Sequence, residues 1–445
     1  MVLNCILALT FTNRAIALKN FIRANIAATV KFLQNALQKT WRHIMTAWKN
    51  FDLLNPTDEH KMLRDTLKSF VATEVEPQAH EHDKKEKFNL NLFKKVGQLG
   101  LLGITVSDQY GGAGMDATAA VIVNEELSAS DPGFCLAYLA HSLLAVNNLA
   151  VNGSEEQKKK YLPGLSSGEL VGSMAMSEPD YGTDVLGMKT TAVKQGDHYI
   201  LNGQKMWITN GALDDQKTPC DFVWVYAKTG EKNGRPLIST FIVEKGDAGY
   251  YVGQKIMDKL GMRASNTAEL VFENCKIPLN RLVGQEGDSV SHMMRNLEIE
   301  RVGLAAMSLG IARRSISIMV KYANERHSFG KALSSFGQIQ KYIADSYAEF
   351  KAAQAYVYET ARVMDLHHEG NRLDSDGVKL VSTTMAKNVA DRAIQVLGGY
   401  GYVGEYVVER LWRDSKLLEI GGGTLEAHQK NITRDLSKDF SKAGF

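Results

Sequence analysis

HYILNGQKMWITNG, His198–Gly211, is the stretch on which the fold turns. Apolar and polar residues alternate along it, β-branched and aromatic residues are frequent, and Asn-Gly punctuates it twice. That is the signature of half-buried strands rather than of a helix. DFVWVYAKTG (Asp221–Gly230), LISTFIVEKG (Leu237–Gly246) and TAELVFENCKIP (Thr267–Pro278) repeat the pattern, with no helical stripe between them. Strands in succession without intervening helices predict an antiparallel sheet or barrel, here over residues 173–286.

On either side the period changes. In NPTDEHKMLRDTLKSFVATEV, Leu63, Leu67 and Val71 recur at helical spacing behind a plausible cap. TAAVIVNEELSA and YLAHSLLAVNNLAV read as buried helices, and DQYGGAGMD as a glycine-rich turn between helices. Beyond Asp288, Ile343, Tyr347, Phe350, Val357, Ala361 and Met364 form one helical stripe, and Met385, Val389, Ala393 and Leu397 another. The fold class is therefore α+β. The expected divisions are a basic extension over 1–51, a helical domain over 52–172, a β domain over 173–286 and a second helical domain over 287–445.

The bulk composition excludes several functions. With 445 residues, 44% hydrophobic and 23% charged, the chain is ordinary globular protein. A net charge of +2 gives no pull toward nucleic acid. Cys5, Cys135, Cys220 and Cys275 are far apart and make no CxxC pair. No metal site or disulfide framework is expected, and a reducing compartment fits. No run of about twenty uninterrupted apolar residues occurs, so no spanning helix is expected.

The first fifty residues contain no Asp or Glu but carry Arg14, Lys19, Arg23, Lys31, Lys39, Arg42 and Lys49, with Ile22, Ile26, Val30 and Leu37 available for one helical face. A basic, acid-free amphipathic start suits a mitochondrial presequence. The absence of Ser and the apolar CILALTF before the first charge suit instead an N-terminus with no targeting role.

GYGYVG, Gly399–Gly404, matches the dinucleotide fingerprint GxGxxG, with Glu419 about twenty residues on. A helical stripe precedes it, however, and too little chain remains for a doubly wound sheet. These glycines are expected to end a helix or let backbone approach a ligand. MAMSEPDYGTD, Met174–Asp184, supplies hydroxyls and exposed amides where helices give way to strands. Trp207 in WITNG stacks on a flat ligand or fills a core. Arg326 in ANERHSFGKALSSFGQIQ suits a phosphate, or a surface ion pair. His367 and His368 lie in a polar loop and read as solvated. EIGGGTLEAH, Glu419–His428, lacks the Lys-Ser/Thr of a phosphate P-loop.

Taken together, YGGAGMD, MAMSEPDYGTD, LNGQKMWITNG, KLGMRASNTAELVFENCKIP, ERHSFGK, QVLGGYGYVGEY and RDSKLLEIGGGT stand in the order in which the acyl-CoA dehydrogenase family carries such blocks. The chain resembles that family over about residues 52–440, and within it the isovaleryl-CoA branch. The resemblance implies an N-terminal helical domain, a middle antiparallel β-barrel domain and a C-terminal four-helix bundle, assembled as a homotetramer with one FAD per subunit. Met174, Met176, Ser177, Gly182, Thr183, Trp207, Ile208 and Thr209 would face the flavin ring. Arg326 would meet the FAD diphosphate across a subunit contact. Gln395, Val396, Leu397, Gly398 and Gly399 would complete the cofactor site with Thr424, Leu425 and Glu426. Gly337 falls where the family has an FAD-binding Gln, with Gln338 one place on.

Oxidising an acyl thioester to its 2-enoyl form needs a base for the α-proton and an acceptor for the β-hydride; flavin is the acceptor. A carboxylate serves as base only where desolvation raises its pKa. Many family members carry it where this chain has Gly422. The isovaleryl and long-chain members place it at the Glu of a Glu-Arg pair on the helix opening the C-terminal bundle, and NLEIERVGLAAMSLG puts Glu300 there. The resemblance assigns substrate contacts to Thr183, Ser291, Glu298, Ile299, Arg301, Gly421, Gly422 and Gly423.

Some residues depart from the isovaleryl pattern. Glu298 replaces Asp, Ser291 and Leu418 replace Tyr, and Gly422 stands where Ala is usual. The implied reaction is dehydrogenation of a short branched acyl-CoA, isovaleryl-CoA in leucine breakdown, with electrons passing to an electron-transfer flavoprotein. The location would be the mitochondrial matrix in a eukaryote, or otherwise bacterial cytoplasm. Alternatives are another branched or longer acyl chain, an oxidase using oxygen, or a non-catalytic assembly factor that binds FAD or acyl-CoA.

Overall fold

The computed structural model describes residues 29–31, 36–39 and 51–443. The presequence reading of the first fifty residues falls largely outside them. The chain divides into two units, Met1–Pro56 and Thr57–Phe445. In the first, the Asp52 carboxylate accepts the amides of Leu54 at 2.9 Å and Asn55 at 3.3 Å, closing a turn.

The second unit begins with helices. Thr57 caps α1 (Asp58–Phe70), its hydroxyl accepting from the His60 amide, with Asp58 and Glu59 complementing the positive end of the helix dipole. Helices α2 (Glu76–Lys85), α3 (Leu90–Gln98), α4 (Ala117–Ser128), α5 (Pro132–Leu139), α6 (Asn147–Asn152) and α7 (Glu155–Ser167) follow. Every residue of α4 is buried, polar Asn124, Glu125 and Glu126 included, and Glu126 is held by Arg64 and Arg313. A reciprocal box between Ser154 and Gln157 opens α7.

The β domain holds β1 (Gly172–Ala175), β2 (Thr191–Gln195), β3 (His198–Thr209), β4 (Phe222–Lys232), β5 (Arg235–Glu244), β6 (Tyr250–Ile256), β7 (Thr267–Pro278) and β8 (Leu282–Val283). They form one eight-stranded sheet in the order β6-β7-β3-β2-β4-β5-β8, with β1 also on β4. The sheet is mixed rather than wholly antiparallel as expected: β1 and β2 each run parallel to β4. Hairpin-joined strands must be antiparallel, as β4 and β5 are. β1, by contrast, is separated from β4 by the whole of β2 and β3, a connection long enough for the parallel direction.

The C-terminal helices are α8 (Ser289–Glu325), α9 (Gly337–Val363), α10 (Arg372–Leu397), α11 (Val408–Leu418) and α12 (Leu425–Lys438), with a small hairpin of β9 (His327–Ser328) and β10 (Lys331–Ala332) after α8. The result is the expected three-domain fold, helical at both ends with a sheet between.

α8 is 37 residues long and runs through the core, packing on α4 and α10. Arg64 of α1 and Arg313 of α8 meet the buried Glu126 of α4 at 2.7 Å each, a cross-domain pair that would be costly to break on one side. Two segments, Pro132–Asn152 and Ser289–Glu325, are long and apolar enough by composition to cross a membrane. Their most apolar windows are 83% and 72% buried inside the protein, which makes them core helices here.

Candidate active site

Glu300 lies on the buried stretch of α8, 8% exposed. Burial pushes its carboxyl up to about 7, against the opposing pull of Arg301 and Lys379, and its Oε2 has no hydrogen-bond partner. A carboxylate in a dry site with a pKa near neutrality is a usable proton acceptor.

Gly422 stands directly against it. A Cβ built at Gly422 would lie 3.4 Å from Glu300 Oε1 and 2.4 Å from Leu304 Cδ1. The carboxylate that the glycine loop lacks is thus supplied to the same space from α8. The backbone is shaped for this approach, with Gly422 at φ 67° and Gly423 at φ 99°, conformations that favour glycine. Thr424 then caps α12, its hydroxyl accepting from the Ala427 amide at 3.3 Å, with Leu425 and exposed Glu426 in the first turn.

The β domain meets the same helix. Asn296, four residues before Glu300 and so on the same face of α8, donates to Met174 Sδ at 3.6 Å. Beyond Met174 and the buried Met176, the chain passes Ser177, whose carbonyl accepts the Met206 amide at 2.9 Å. This bond joins the Met174–Asp184 segment to the β3 bulge that lies between Lys205 and Ile208.

Trp207 sits in that bulge at φ 66° with its side chain 63% exposed, so it is not the core residue that tryptophan usually is. Ile208 is buried, Thr209 half-buried, and Gly182 and Thr183 exposed. Behind the loop, buried Lys205 donates to Met176 O at 3.0 Å and Glu178 at 2.9 Å. Burial pushes this lysine down to about 8, and Glu178 opposes the shift.

A second group of expected residues converges at the far end of α8. Arg326 ends that helix and, with Val396, Leu397 and Gly399 from the end of α10, lines a cleft of about 550 Å³. Tyr322, Ser328, Leu333, Tyr400, Val403 and Glu405 complete its lining. GYGYVG is no Rossmann turn: Gly398, at φ 61°, ends α10, and Gly399 opens backbone to the cleft. Gln395 is exposed beside it.

Other expected contacts are placed differently. Gln338 is exposed on the first turn of α9, outside that lining. Glu298 accepts the amides of Asn371 at 2.9 Å and Gly370 at 3.3 Å, so its carboxylate is committed to the turn before α10. Ile299 is packed in the core at 2% exposure, and Arg301 reaches Asp376 at 3.3 Å. The exposed Ser291 hydroxyl donates to Asp288 O.

Sequence reasoning missed Lys379, Asp376 and His428, three buried polar residues behind the glycine loop. The signal was present: Asp376 and Lys379 border an apolar stripe on α10, and His428 lies four residues, one turn, after the capping Thr424.

A dry carboxylate facing a glycine loop, with an exposed aromatic bulge on the β domain that meets the same helix and a phosphate-suited arginine at that helix's far end, suits a flavin-dependent dehydrogenase, and the chain belongs to the acyl-CoA dehydrogenase family. Models of the family's N-terminal, middle and C-terminal domains match residues 57–169, 173–275 and 290–437.

Among relatives, the mitochondrial isovaleryl-CoA dehydrogenase of Pongo abelii is 43% identical over 389 residues, 86% of this chain and 90% of that protein. The structure of butyryl-CoA dehydrogenase from Megasphaera elsdenii superposes with a TM-score of 0.81 at 34% identity, covering 85% of this chain and 98% of that one. An acyl-CoA dehydrogenase complexed with FAD from Bacillus anthracis gives 0.79 at 31% identity, over 87% of this chain and 68% of that one. The chain is an oxidoreductase acting on CH–CH groups of acyl-CoA, and FAD is its cofactor. The residues present fit that group: Trp207 offers an exposed ring beside the Ser177 loop, and Arg326 a guanidinium in a cleft opened by Gly399.

Proposed function

We propose that this chain dehydrogenates a short, branched acyl-CoA, isovaleryl-CoA in leucine breakdown, with Glu300 as the base that takes the α-proton. The observation that carries the assignment is the 3.4 Å approach of Glu300 Oε1 to the Cβ position of Gly422. With Leu304 filling the Cβ direction at 2.4 Å, the glycine lets the loop close on the carboxylate, and the lip offered to a branched acyl group is made of Gly421, Gly422 and Gly423. Burial keeps water from Glu300, and Arg301 and Lys379 favour its charged form, so the group is partly ionised near neutral pH and ready to accept a proton. FAD, when bound, would supply the hydride acceptor, with the Met174–Thr183 segment, Trp207 and Thr209 on its ring side, while Arg326, roughly 39 Å along α8 from Glu300, would meet the diphosphate across a subunit contact with Gln395 and Gly399 beside it. Electrons pass on to an electron-transfer flavoprotein.

Two further features support finer parts of this reading. Phe329, at the tip of the β9–β10 hairpin, is 93% exposed at φ 49°, an apolar side chain left for a second copy of the chain to cover in a homotetramer. The acid-free basic N-terminus, together with relatives named as mitochondrial, supports a matrix location.

The decisive experiment is anaerobic. Glu300→Gln is expected to retain FAD and bind acyl-CoA yet fail to bleach flavin with substrate; parental bleaching in that variant would remove Glu300 from the mechanism. A panel of isovaleryl, isobutyryl, 2-methylbutyryl, butyryl and palmitoyl thioesters then sets the substrate. A strong preference for palmitoyl would sink the isovaleryl assignment.

A further inference from the structure

Two adjacent glycines cannot hold themselves in place, because they have no side chains and the loosest backbone of any residue. Something else must fix the lip against Glu300. The Gly423 carbonyl accepts from Lys379 Nζ at 2.8 Å and faces His428 Nε2 at 3.0 Å. The other ring nitrogen of His428, Nδ1, lies 2.5 Å from Asp376 Oδ1, which also meets Arg301 at 3.3 Å. Lys379 and His428 are both fully buried, so each is fixed by packing as well as by bonds. The lip is therefore pinned at Gly423, one residue from the glycine that touches the carboxylate.

We propose that Lys379 is a positioning residue of this site: its ammonium pins the Gly423 carbonyl and so holds the glycine lip beside the Glu300 carboxylate. His428, oriented by Asp376, is the second pin. The inference rests on Glu300 being the base.

Lys379 is faced by Glu300 and Arg301 from α8, Asp376 from its own helix and Glu419 from beyond α11. Burial pushes it down to about 8 against the attraction of Glu300, so it remains mostly charged where Glu300 begins to ionise. His428 is faced by Asp376, Lys379 and Arg301, and burial lowers its pKa while Asp376 opposes. Both its ring nitrogens face acceptors, so only the imidazolium makes both bonds; the neutral ring keeps one and leaves the lip to Lys379. Removing the Lys379 ammonium leaves Glu300 harder to ionise.

The test compares FAD-loaded parent, Lys379→Met, Lys379→Arg, His428→Gln and Glu300→Gln. Flavin reduction by isovaleryl-CoA is followed by anaerobic stopped flow from pH 5.5 to 9. In Lys379→Met the rising limb is expected to move to higher pH by on the order of one unit, with the maximal rate reduced rather than KM alone raised. His428→Gln, which exchanges one neutral side chain for another at these pH values, leaves the limb in place, and Lys379→Arg restores most of the parental limb. Without substrate, amide hydrogen exchange across residues 420–424 is expected to quicken about tenfold in Lys379→Met, the loss of roughly one hydrogen bond's stabilisation.

An unmoved limb in Lys379→Met, or an effect on KM alone, overturns the proposal. Should that variant not fold, Lys379→Gln takes its place, and an unmoved limb there overturns the proposal equally. Parental bleaching in Glu300→Gln would mean that the base assignment has failed. Loss of bleaching there, with coincident limbs in the other variants, would mean that only the pinning has.

Discussion

Replacing Glu300 by Gln should make the protein more stable above neutral pH, although it abolishes proton abstraction. The folded carboxyl titrates at about 7 against a reference of 4.5, and that gap corresponds to about 3 kcal/mol. The sign follows from which state binds the proton more tightly. The native site does, so the contribution of Glu300 to stability is full below about 4.5 and is lost as pH rises through about 7. At pH 8 the parent carries a buried anion that the variant lacks.

The neutral amide brings desolvation of its own, about 1 kcal/mol. A net gain of about 2 kcal/mol is therefore expected at pH 8, shrinking toward zero or reversing near pH 5. Urea unfolding of both proteins, saturated with FAD and monitored from pH 5 to 8.5, reads this directly. A separation between the two curves that stays constant across the range would refute the desolvation argument, and with it the reason for Glu300 being a base.

Three other outcomes follow from the same geometry. Gly422→Ala adds a methyl that meets Leu304 at 2.4 Å on a backbone at φ 67°, and is expected to cost about 1–2 kcal/mol in thermal unfolding while lowering kcat/KM most for the bulkiest acyl thioesters. Glu178→Gln leaves the buried Lys205 ammonium without its anion, and should cost about 3–5 kcal/mol in urea unfolding and loosen flavin, seen as a lower FAD content after gel filtration. Arg326→Ala should also lower FAD content, with the parent's FAD affinity falling at high salt and the variant's falling less, as expected when a charged phosphate contact is removed.

The order of helices, strands and helices was legible in the sequence because local period reports it: Leu63 and Leu67 lie on α1 with Val71 just past its end, and HYILNGQKMWIT is β3. The parallel seating of β1 on β4 was not legible, since pairing between distant strands is decided by tertiary packing. Glu300 was singled out through family resemblance, since a Glu-Arg pair on a helix is ordinarily a solvated face even beside apolar neighbours such as Ile299 and Val302. What separates the two readings is burial, and Glu300 lies in a buried run of α8 packed by elements distant in the chain. Asp376, Lys379 and His428 escaped for the same reason, because each makes sense only beside the others. Arg326 and Gly399 were recognised singly, but their common cleft with Tyr322 and Tyr400 needed the fold.

Glu300 belongs to a long helix seated in the core, whereas the glycines proposed to border the acyl group belong to a short loop after α11. Chemistry and selectivity therefore sit on separate pieces of chain. A substitution in the loop can widen, narrow or reshape the space offered to an acyl group while the proton acceptor stays anchored. In a family whose members act on acyl groups as different as butyryl and isovaleryl, this division of labour gives evolution a place to change the substrate without dismantling the reaction.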